Sequence, residues 1–447
     1  MQSKQDKNIA KDIIGKIQGK GFEAYFAGGY VRDMLIGLEA KDIDIVTSAK
    51  PDEIEALFEK TYPIGKDFGV IDVVVENTNF EVATFRKESD YSDNRRPQKI
   101  FFTDAKNDAL RRDFTINGLF YDPIKNKIID YIGGVEDIKK RTVKFIGDPA
   151  ERIEEDHLRL IRAIRFKSTL NFQYDQQSFE AIRKYSALIE KVSKERVRDE
   201  LNKIITCPNR HTALIELSES KLLKYIMPEV EEMKGVPQPE EYHKEGDVFT
   251  HTYLALKSLP KESDLRLCWA VLLHDIGKPP TLIKKDGRII FHDHAQKSAE
   301  ISNEILKRLR FSKTDINAIV FLVENHMKIA QLNKMRPGKR KRILTHPLME
   351  DLIKLAEADE HGKIPTELDF IEKIKKDAKK ANLEKEREDK EGKEKIFSGD
   401  TLIEMGFEPG PKIKEIIENI EDLIAEGELK NNKEVRDYIK TKYAKNN

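Results

Sequence analysis

The segment Ala27–Thr47, AGGYVRDMLIGLEAKDIDIVT, constrains this chain more than any other. Its pattern predicts a strand, a glycine turn, a short helix and a second strand. Gly28 and Gly29 reach backbone angles closed to other residues and let a ligand approach the main chain. The free N–H groups of the helix start, with Arg32 one turn in, offer a seat for phosphate oxygens. Asp42 and Asp44 are two apart on a strand, so both side chains leave one face. Ile43, Ile45 and Val46 supply the apolar part of that strand. Two carboxylates on a rigid face beside a phosphate cradle suit a magnesium pair that clamps an in-line phosphoryl or nucleotidyl transfer. A solvated edge strand beside an ordinary glycine turn carries the same Asp-Ile-Asp triplet, and the upstream glycines and Arg32 are what favour the metal site.

The length of 447 residues suits about three domains. Lys plus Arg and Asp plus Glu are both 80, which argues against a uniformly basic nucleic-acid binder and leaves room for a local basic groove. Cys207 and Cys268 are the only cysteines, so a disulfide framework and a thiolate zinc site are excluded. The N-terminus reads as a charged amphipathic helix, not a secretory signal. No apolar run is long enough to span a bilayer. These features predict a soluble cytoplasmic protein, rich in helix and in solvated surface.

Along the chain, residues 9–20 and 51–60 have helical spacing, the second with Ser48 as its cap. Val70–Glu76 and Phe80–Arg86 read as strands joined by a polar turn. Arg86–Thr103 is polar and reads as a mobile loop, from which Arg95 and Arg96 can reach phosphates. Asp108–Tyr121 places Arg111, Arg112, Asp113 and Asn117 within two turns if helical. There Arg112 suits a triphosphate, and Asp113 and Asn117 suit a ribose hydroxyl. A helix with a salt-bridged polar face accounts for the same residues.

From about residue 150 the pattern becomes nearly continuous helix. In Glu151–Lys167, ERIEEDHLRLIRAIRFK, Asp156, Arg159, Arg162 and Phe166 share a face. Asp156 and Arg159 set a carboxylate acceptor beside a guanidinium donor. That pair complements adenine or cytosine, each with an amino donor next to a ring-nitrogen acceptor, and mismatches guanine and uracil. Taken alone, such a pair is more often an i,i+3 ion pair on a solvated helix. Arg196 and Arg198 are available for helix packing or for RNA phosphates. Pro228–Tyr242 reads as a proline-interrupted linker.

The following unit holds most histidines: His251, His274-Asp275, His294 and His326, with Asp359. Imidazole and carboxylate ligands on several helices suit a divalent metal. Gly277 and Pro279 end the helix that carries His274-Asp275, which predicts an accessible terminus for that pair. Residues 363–397 are Lys- and Glu-rich and read as an exposed helix or connector. Helical order returns after 397, with a helix from Lys412 to Glu426 closed by Gly427.

The motifs GGYVRD with DID, RKESDYSDNRRP, RRDFTIN, EEDHLRLIRAIRF and ERVRDEL, with DTLIEMGFEPGPKIKEIIENI, occur in one order across most of the chain. In these the sequence resembles the bacterial class II tRNA nucleotidyltransferases and poly(A) polymerases, the CCA-adding enzymes. The resemblance implies an α+β protein: a polymerase-β-like head at 1–149, then a helical neck (150–229), body (230–362) and tail (363–447) that binds tRNA. It implies that Asp42 and Asp44 hold Mg2+, that Gly28, Gly29 and Arg32 hold the triphosphate, and that Arg112 and Asp113 hold the nucleotide and its ribose. Asp156 and Arg159 would select CTP and then ATP, with Arg162 and Arg165 supporting them. It assigns the loop from Arg86 to Pro97 to the switch toward ATP, which argues against addition of C alone. The His-Asp unit resembles the HD phosphohydrolase domain, with His251, His274, Asp275 and Asp359 as ligands of a divalent metal. Expected partners are tRNA, CTP and ATP, with no membrane. Addition of A alone, and a phosphohydrolase with a nucleotide-binding head, are the alternatives.

Overall fold

Strand β1 (Ala24–Ala27) is buried along its whole length, as its apolar sequence AYFA demands. Around it a computed structural model, which describes residues 4–40, 42–91, 97–390 and 399–443, builds a mixed sheet. The other members are β2 (Asp44–Thr47), β3 (Thr61–Gly65), β4 (Val70–Val75), β5 (Thr78–Thr84), β8 (Phe120–Asp122) and β9 (Lys127–Ile129), in the order β3-β4-β5-β2-β1-β8-β9. β1 runs antiparallel to β2 and β8, whereas β2 and β5 are parallel. Helix α1 (Lys4–Gln18) buries Ile9, Ile13, Ile14 and Ile17. This i, i+4, i+5, i+8 spacing gives one apolar stripe. Tyr25, Ala27, Val46, Phe85 and Phe120 form an apolar cluster with Ala105 and Ala109 of α4 (Ala105–Leu110).

Four local expectations change. The segment read as a loop from Arg86 to Thr103 is a hairpin: β6 (Arg86–Tyr91) pairs antiparallel with β7 (Pro97–Phe102), and Arg95 and Arg96 lie outside the described residues. The segment 108–121 is not one helix. After α4 the chain is drawn out by a β-bridge between Phe114 and Phe145, then makes a short 3-10 turn at Thr115–Asn117. The helix expected over 151–167 is broken: α6 (Pro149–Glu155) stops at Asp156, whose φ of −145° is extended, and α7 (Arg159–Leu170) begins three residues later. Ser48 also caps no helix. Its hydroxyl accepts from the Glu23 N–H, and the Glu53 side chain accepts from the Lys50 N–H at the start of α3 (Pro51–Leu57).

The chain divides into two compact units, 1–228 and 229–447. In the first, α7 packs against α9 (Lys194–Ile205). In the second, the helices Val248–Ser258, Leu265–Leu273, Lys313–Asn325 and Met349–Gly362 pack together around apolar side chains that include the fully buried Trp269. The expected linker 228–242 is packed, with Val230, Met233 and Gln238 buried. The Lys- and Glu-rich stretch is a helix, Asp369–Lys390, that buries Ile371, Ile374, Ala378 and Ala381 along one side. The closing helices Pro411–Ala425 and Asn432–Lys442 enclose their own cluster of Leu402, Ile416, Ile420, Val435 and Ile439. No helix among the described residues is long and apolar enough to cross a membrane.

Candidate nucleotide site and metal cluster

Pairing of β1 with β2 sets Asp44 directly opposite Ala27, the residue before the glycine turn. Gly28 there has φ 63° and ψ −128°, a conformation that L-residues rarely adopt. A Cβ at this position would also meet Arg112 Nη1 at 3.1 Å and Asp44 Oδ2 at 3.5 Å. Gly28→Ala is therefore expected to cost about 1–3 kcal/mol in backbone strain and to displace Arg112 or Asp44. The check is a folded variant, by circular dichroism, with lowered nucleotide affinity. Asp42 precedes β2, and with Asp44 it is exposed on either side of the buried Ile43, so both acids face the cleft beside the turn.

A cleft of about 550 Å³ gathers Gly28, Gly29, Arg32, Asp42, Asp44, Arg112, Asp113, Asn117, Asp156, Arg159, Arg162 and Arg165, together with Arg111 and Phe166. Arg32, Arg162 and Arg165 lie over the Phe166 ring, their guanidinium carbons 5.2, 5.3 and 4.0 Å from its centroid. Asn117 links the parts: its carbonyl oxygen accepts from Arg32 Nη1 at 2.7 Å, and its amide donates to Asp113 Oδ1 at 3.0 Å. Asp113 Oδ2 accepts from Arg162 Nε and Nη2 at 2.9 and 2.6 Å. Asp113 resists burial, which alone would raise its pKa. Arg162 and Asn117 outweigh that and hold its carboxyl down at about 2. With both oxygens so engaged, Asp113 fixes Arg162 in place and reaches a ribose only by letting go.

Asp156 and Arg159 do not pair with each other. Asp156 Oδ1 accepts from the Leu158 N–H at 3.1 Å, and Oδ2 from Arg196 Nη2 at 2.8 Å. Arg159 Nη1 donates to Glu155 Oε2 at 2.6 Å, and Nη2 to the Arg111 carbonyl at 3.2 Å. The surface ion pair is thus not formed, and each group is positioned separately at the cleft. Arg165 Nε meets Glu200 Oε2 at 2.5 Å. Arg196, read from the sequence as available for helix packing or RNA phosphates, instead holds Asp156, and Glu200 on the same helix α9 is a supporting residue that the sequence did not reveal. Their helix was read, but partners 40 and 35 positions away leave no local trace.

The chemistry of Asp42 and Asp44 fits a hard cation, since only carboxylate oxygens are offered. Asp44 is open to the cleft, yet desolvation by the surrounding protein raises its carboxyl above its usual range. Arg112 opposes this and the Asp42 charge adds to it, so a bound cation relieves the site.

In the second unit His251, His274, Asp275 and Asp359 bring ligand atoms within 4.8 Å of one another. His251 Nε2 is 3.0 Å from Asp359 Oδ1, and His274 Nε2 is 3.3 Å from Asp275 Oδ2. The expected accessible terminus is wrong, because His274 and Asp275 are buried. The helix His294–Arg308 closes over the turn that follows them. A Cβ at Gly277 would lie 2.4 Å from the His294 carbonyl, so only glycine permits this approach.

Three family descriptions match: the poly A polymerase head domain at residues 24–144, the probable RNA and SrmB-binding site of polymerase A at 171–234, and the HD domain at 247–360. A CCA-adding enzyme of Ligilactobacillus salivarius is 33% identical over 433 residues, which are 95% of this chain and 94% of that protein. The chain belongs to the CCA-adding enzyme family. Another CCA-adding enzyme, from Bacillus pumilus, is 34% identical over 74% of this chain and 78% of its own length. The match to the Staphylococcus haemolyticus CCA-adding enzyme is 46% identical and spans 55% of that protein, about half its length. The fold is that of solved CCA-adding enzymes. The Bacillus stearothermophilus enzyme in complex with CTP has a TM-score of 0.64 at 24% identity, covering 98% of each chain. A CCA-adding enzyme with ATP has a TM-score of 0.61 at 20% identity, covering 98% of this chain and 96% of that one.

Proposed function

We propose that this chain adds C, C and A to tRNA 3′ ends from CTP and ATP in the cytoplasm, without a nucleic-acid template. The observation that carries the reading is the one cleft that Asp42, Asp44, the arginines and, held separately, Asp156 and Arg159 all line. Gly28, Gly29, Arg32 and Arg112 hold the triphosphate, with Arg162 and Arg165 beside them. Asp42 and Asp44 would hold Mg2+, which would supply activation of the primer hydroxyl and charge neutralisation on the leaving pyrophosphate. The primer's 3′-hydroxyl gives up its proton to water, and its oxygen bonds to the α-phosphorus as the bond to pyrophosphate breaks. Asp156 and Arg159 read the base edge, for which Arg159 exchanges Glu155 for the incoming nucleotide. The acceptor stem is recognised by shape and backbone, not by sequence.

The test uses tRNA transcripts that end before CCA, after one C and after both, each with CTP or ATP alone. Growth by two C and then one A is expected, whereas incorporation of ATP with none of CTP replaces this reading by addition of A alone. Asp156→Ala leaves UTP and CTP no longer distinguished by that acceptor, so discrimination drops by roughly 1–3 kcal/mol, seen as UTP misincorporation.

A separate observation favours metal chemistry in the second unit. Its buried His251, His274, Asp275 and Asp359 are suited to a divalent cation, with hydrolysis of a phosphate ester as the associated activity. There Asp44→Ala spares activity and His274→Ala abolishes it, the reverse of the outcome for nucleotide addition.

A further inference from the structure

We propose that Phe166 is a positioning residue for the nucleotide: its ring gathers Arg32, Arg162 and Arg165 and keeps their charge available to the triphosphate. This rests on the reading of the cleft as a nucleotide site, and adds to it a side chain with no polar atom.

Phe166 sits on α7, one turn beyond Arg162 and next to Arg165. Arg32 comes from elsewhere, the helix Gly29–Leu35 behind the glycine turn. Their guanidinium carbons lie 5.2, 5.3 and 4.0 Å from the ring centroid, Arg32 first and Arg165 last. Three like charges around one side chain repel one another. Arg165 feels this: burial lowers its pKa, Glu200 opposes the shift, and the Arg162 charge adds to it.

Carboxylates hold part of this group. Arg32 meets Asp33, Arg162 meets Asp113 and Arg165 meets Glu200. Each carboxylate cancels the charge it holds, and so competes with an incoming phosphate. The aromatic face does not. It carries a negative quadrupole and no net charge, so it attracts a cation and leaves the charge in place. Phosphate oxygens can replace the carboxylates while the ring contact persists. An aliphatic side chain of similar volume fills the same space and attracts nothing. A carboxylate there attracts and neutralises.

The ring is fixed from behind. Phe166 is buried, and Phe114 packs against it edge-on, with centroids 5.5 Å apart and planes at 74°. Phe114 lies 4.8 Å from Phe145, to which a β-bridge also ties it. Phe114 directly follows Asp113, which accepts from Arg162. One short segment therefore seats both the ring and one of its cations. Asn117, three residues on, accepts from Arg32. The ring thus joins the helix of the glycine turn to α7, the helix that begins with Arg159. The parts that hold phosphates and the part that reads the base meet at Phe166.

The test changes the charge distribution of the ring and keeps its shape. In the full-length chain Phe166 is replaced by mono-, di- and trifluorinated phenylalanine, each fluorine weakening the negative face. Binding of CTP and of ATP is measured by calorimetry without tRNA, and single-turnover addition is measured on a tRNA transcript. Affinity for both nucleotides is expected to fall stepwise along the series, by about tenfold or more at the trifluorinated end, with the addition rate at low nucleotide falling in step. Phe166→Leu, with far-UV circular dichroism matching the parent, should lose at least as much. A flat fluorine series overturns the proposal, because packing alone is indifferent to the ring's quadrupole. A loss confined to one of the two nucleotides overturns it as well, since it puts the ring on the base and not behind the phosphate-holding arginines. A parent that binds both nucleotides and extends no tRNA overturns the proposed function, while the binding series still decides the role of the ring.

Discussion

Asp44→Ala lowers single-turnover CTP addition by about 10³-fold or more, while the chain stays folded and still binds nucleotide. The expectation follows from where the residue stands. Asp44 opposes Ala27 on the neighbouring strand, touches the glycine turn and lines the cleft with Asp42. Its carboxyl is raised by desolvation and by Asp42 against the pull of Arg112, so Arg112 alone does not neutralise the two acids. Removing one acid takes away half of the oxygen donors that this face offers a cation. Arg32 and Arg112 remain, so triphosphate affinity is expected to fall far less than the rate. Quench-flow with excess enzyme separates the two. A variant that keeps more than roughly a tenth of the parent rate would show that the acids do not hold the catalytic metal.

Asp113→Ala is expected to destabilise the first unit by about 3–5 kcal/mol, because it leaves the Arg162 guanidinium without its partner in a largely buried place. Nucleotide affinity should drop too, since Arg162 and Asn117 both lose the group that orients them. Hydrogen exchange with mass spectrometry on peptides from the sheet and α7 reads the loss locally. The pH dependence supplies a second measurement. Asp113 titrates at about 2 in the fold against an ordinary 3.8. A depressed carboxylate stabilises above its unfolded value and loses that contribution as pH falls through the folded one. The difference amounts to about 2 kcal/mol. The gap in stability between the parent and Asp113→Asn should be constant from pH 7 to about 5 and narrow below about 4. A gap that stays unchanged down to pH 3 would mean that Asp113 does not carry its charge in the pair.

Some of this architecture was legible because its causes are local. The alternation Asp42, Ile43, Asp44 is a property of any strand, and the double glycine marks a turn wherever it falls. The helix closed by Gly427, where φ is 77°, has a local stop signal of the same kind. Other features have distant causes. The chain leaves helix after residue 110 because Asp113 O and Thr115 N–H bond to Ile146 N–H and Lys144 O. The pairing of β6 with β7 is hidden by their polar residues, and only the antiparallel register between the two strands reveals it. Asp156 interrupts a segment whose spacing is helical throughout, and Arg196 holds it from another helix. In the second unit the histidines were visible as ligand types, but the burial of His274 and Asp275 depends on a helix twenty residues on that packs against Gly277.

The arginines of the nucleotide cleft each rest on a carboxylate: Arg32 on Asp33, Arg111 and Arg112 on Asp108, Arg159 on Glu155, Arg162 on Asp113, and Arg165 on Glu200. The resting cleft is therefore close to electrically quiet, in keeping with a chain whose total charge is zero. A triphosphate arrives as a rival to internal anions and must offer several oxygens at once to displace them. Stray chloride or inorganic phosphate gains little foothold there. Under the proposed function, the same rivalry would work in reverse after the joining step, with the carboxylates reclaiming their arginines as pyrophosphate leaves.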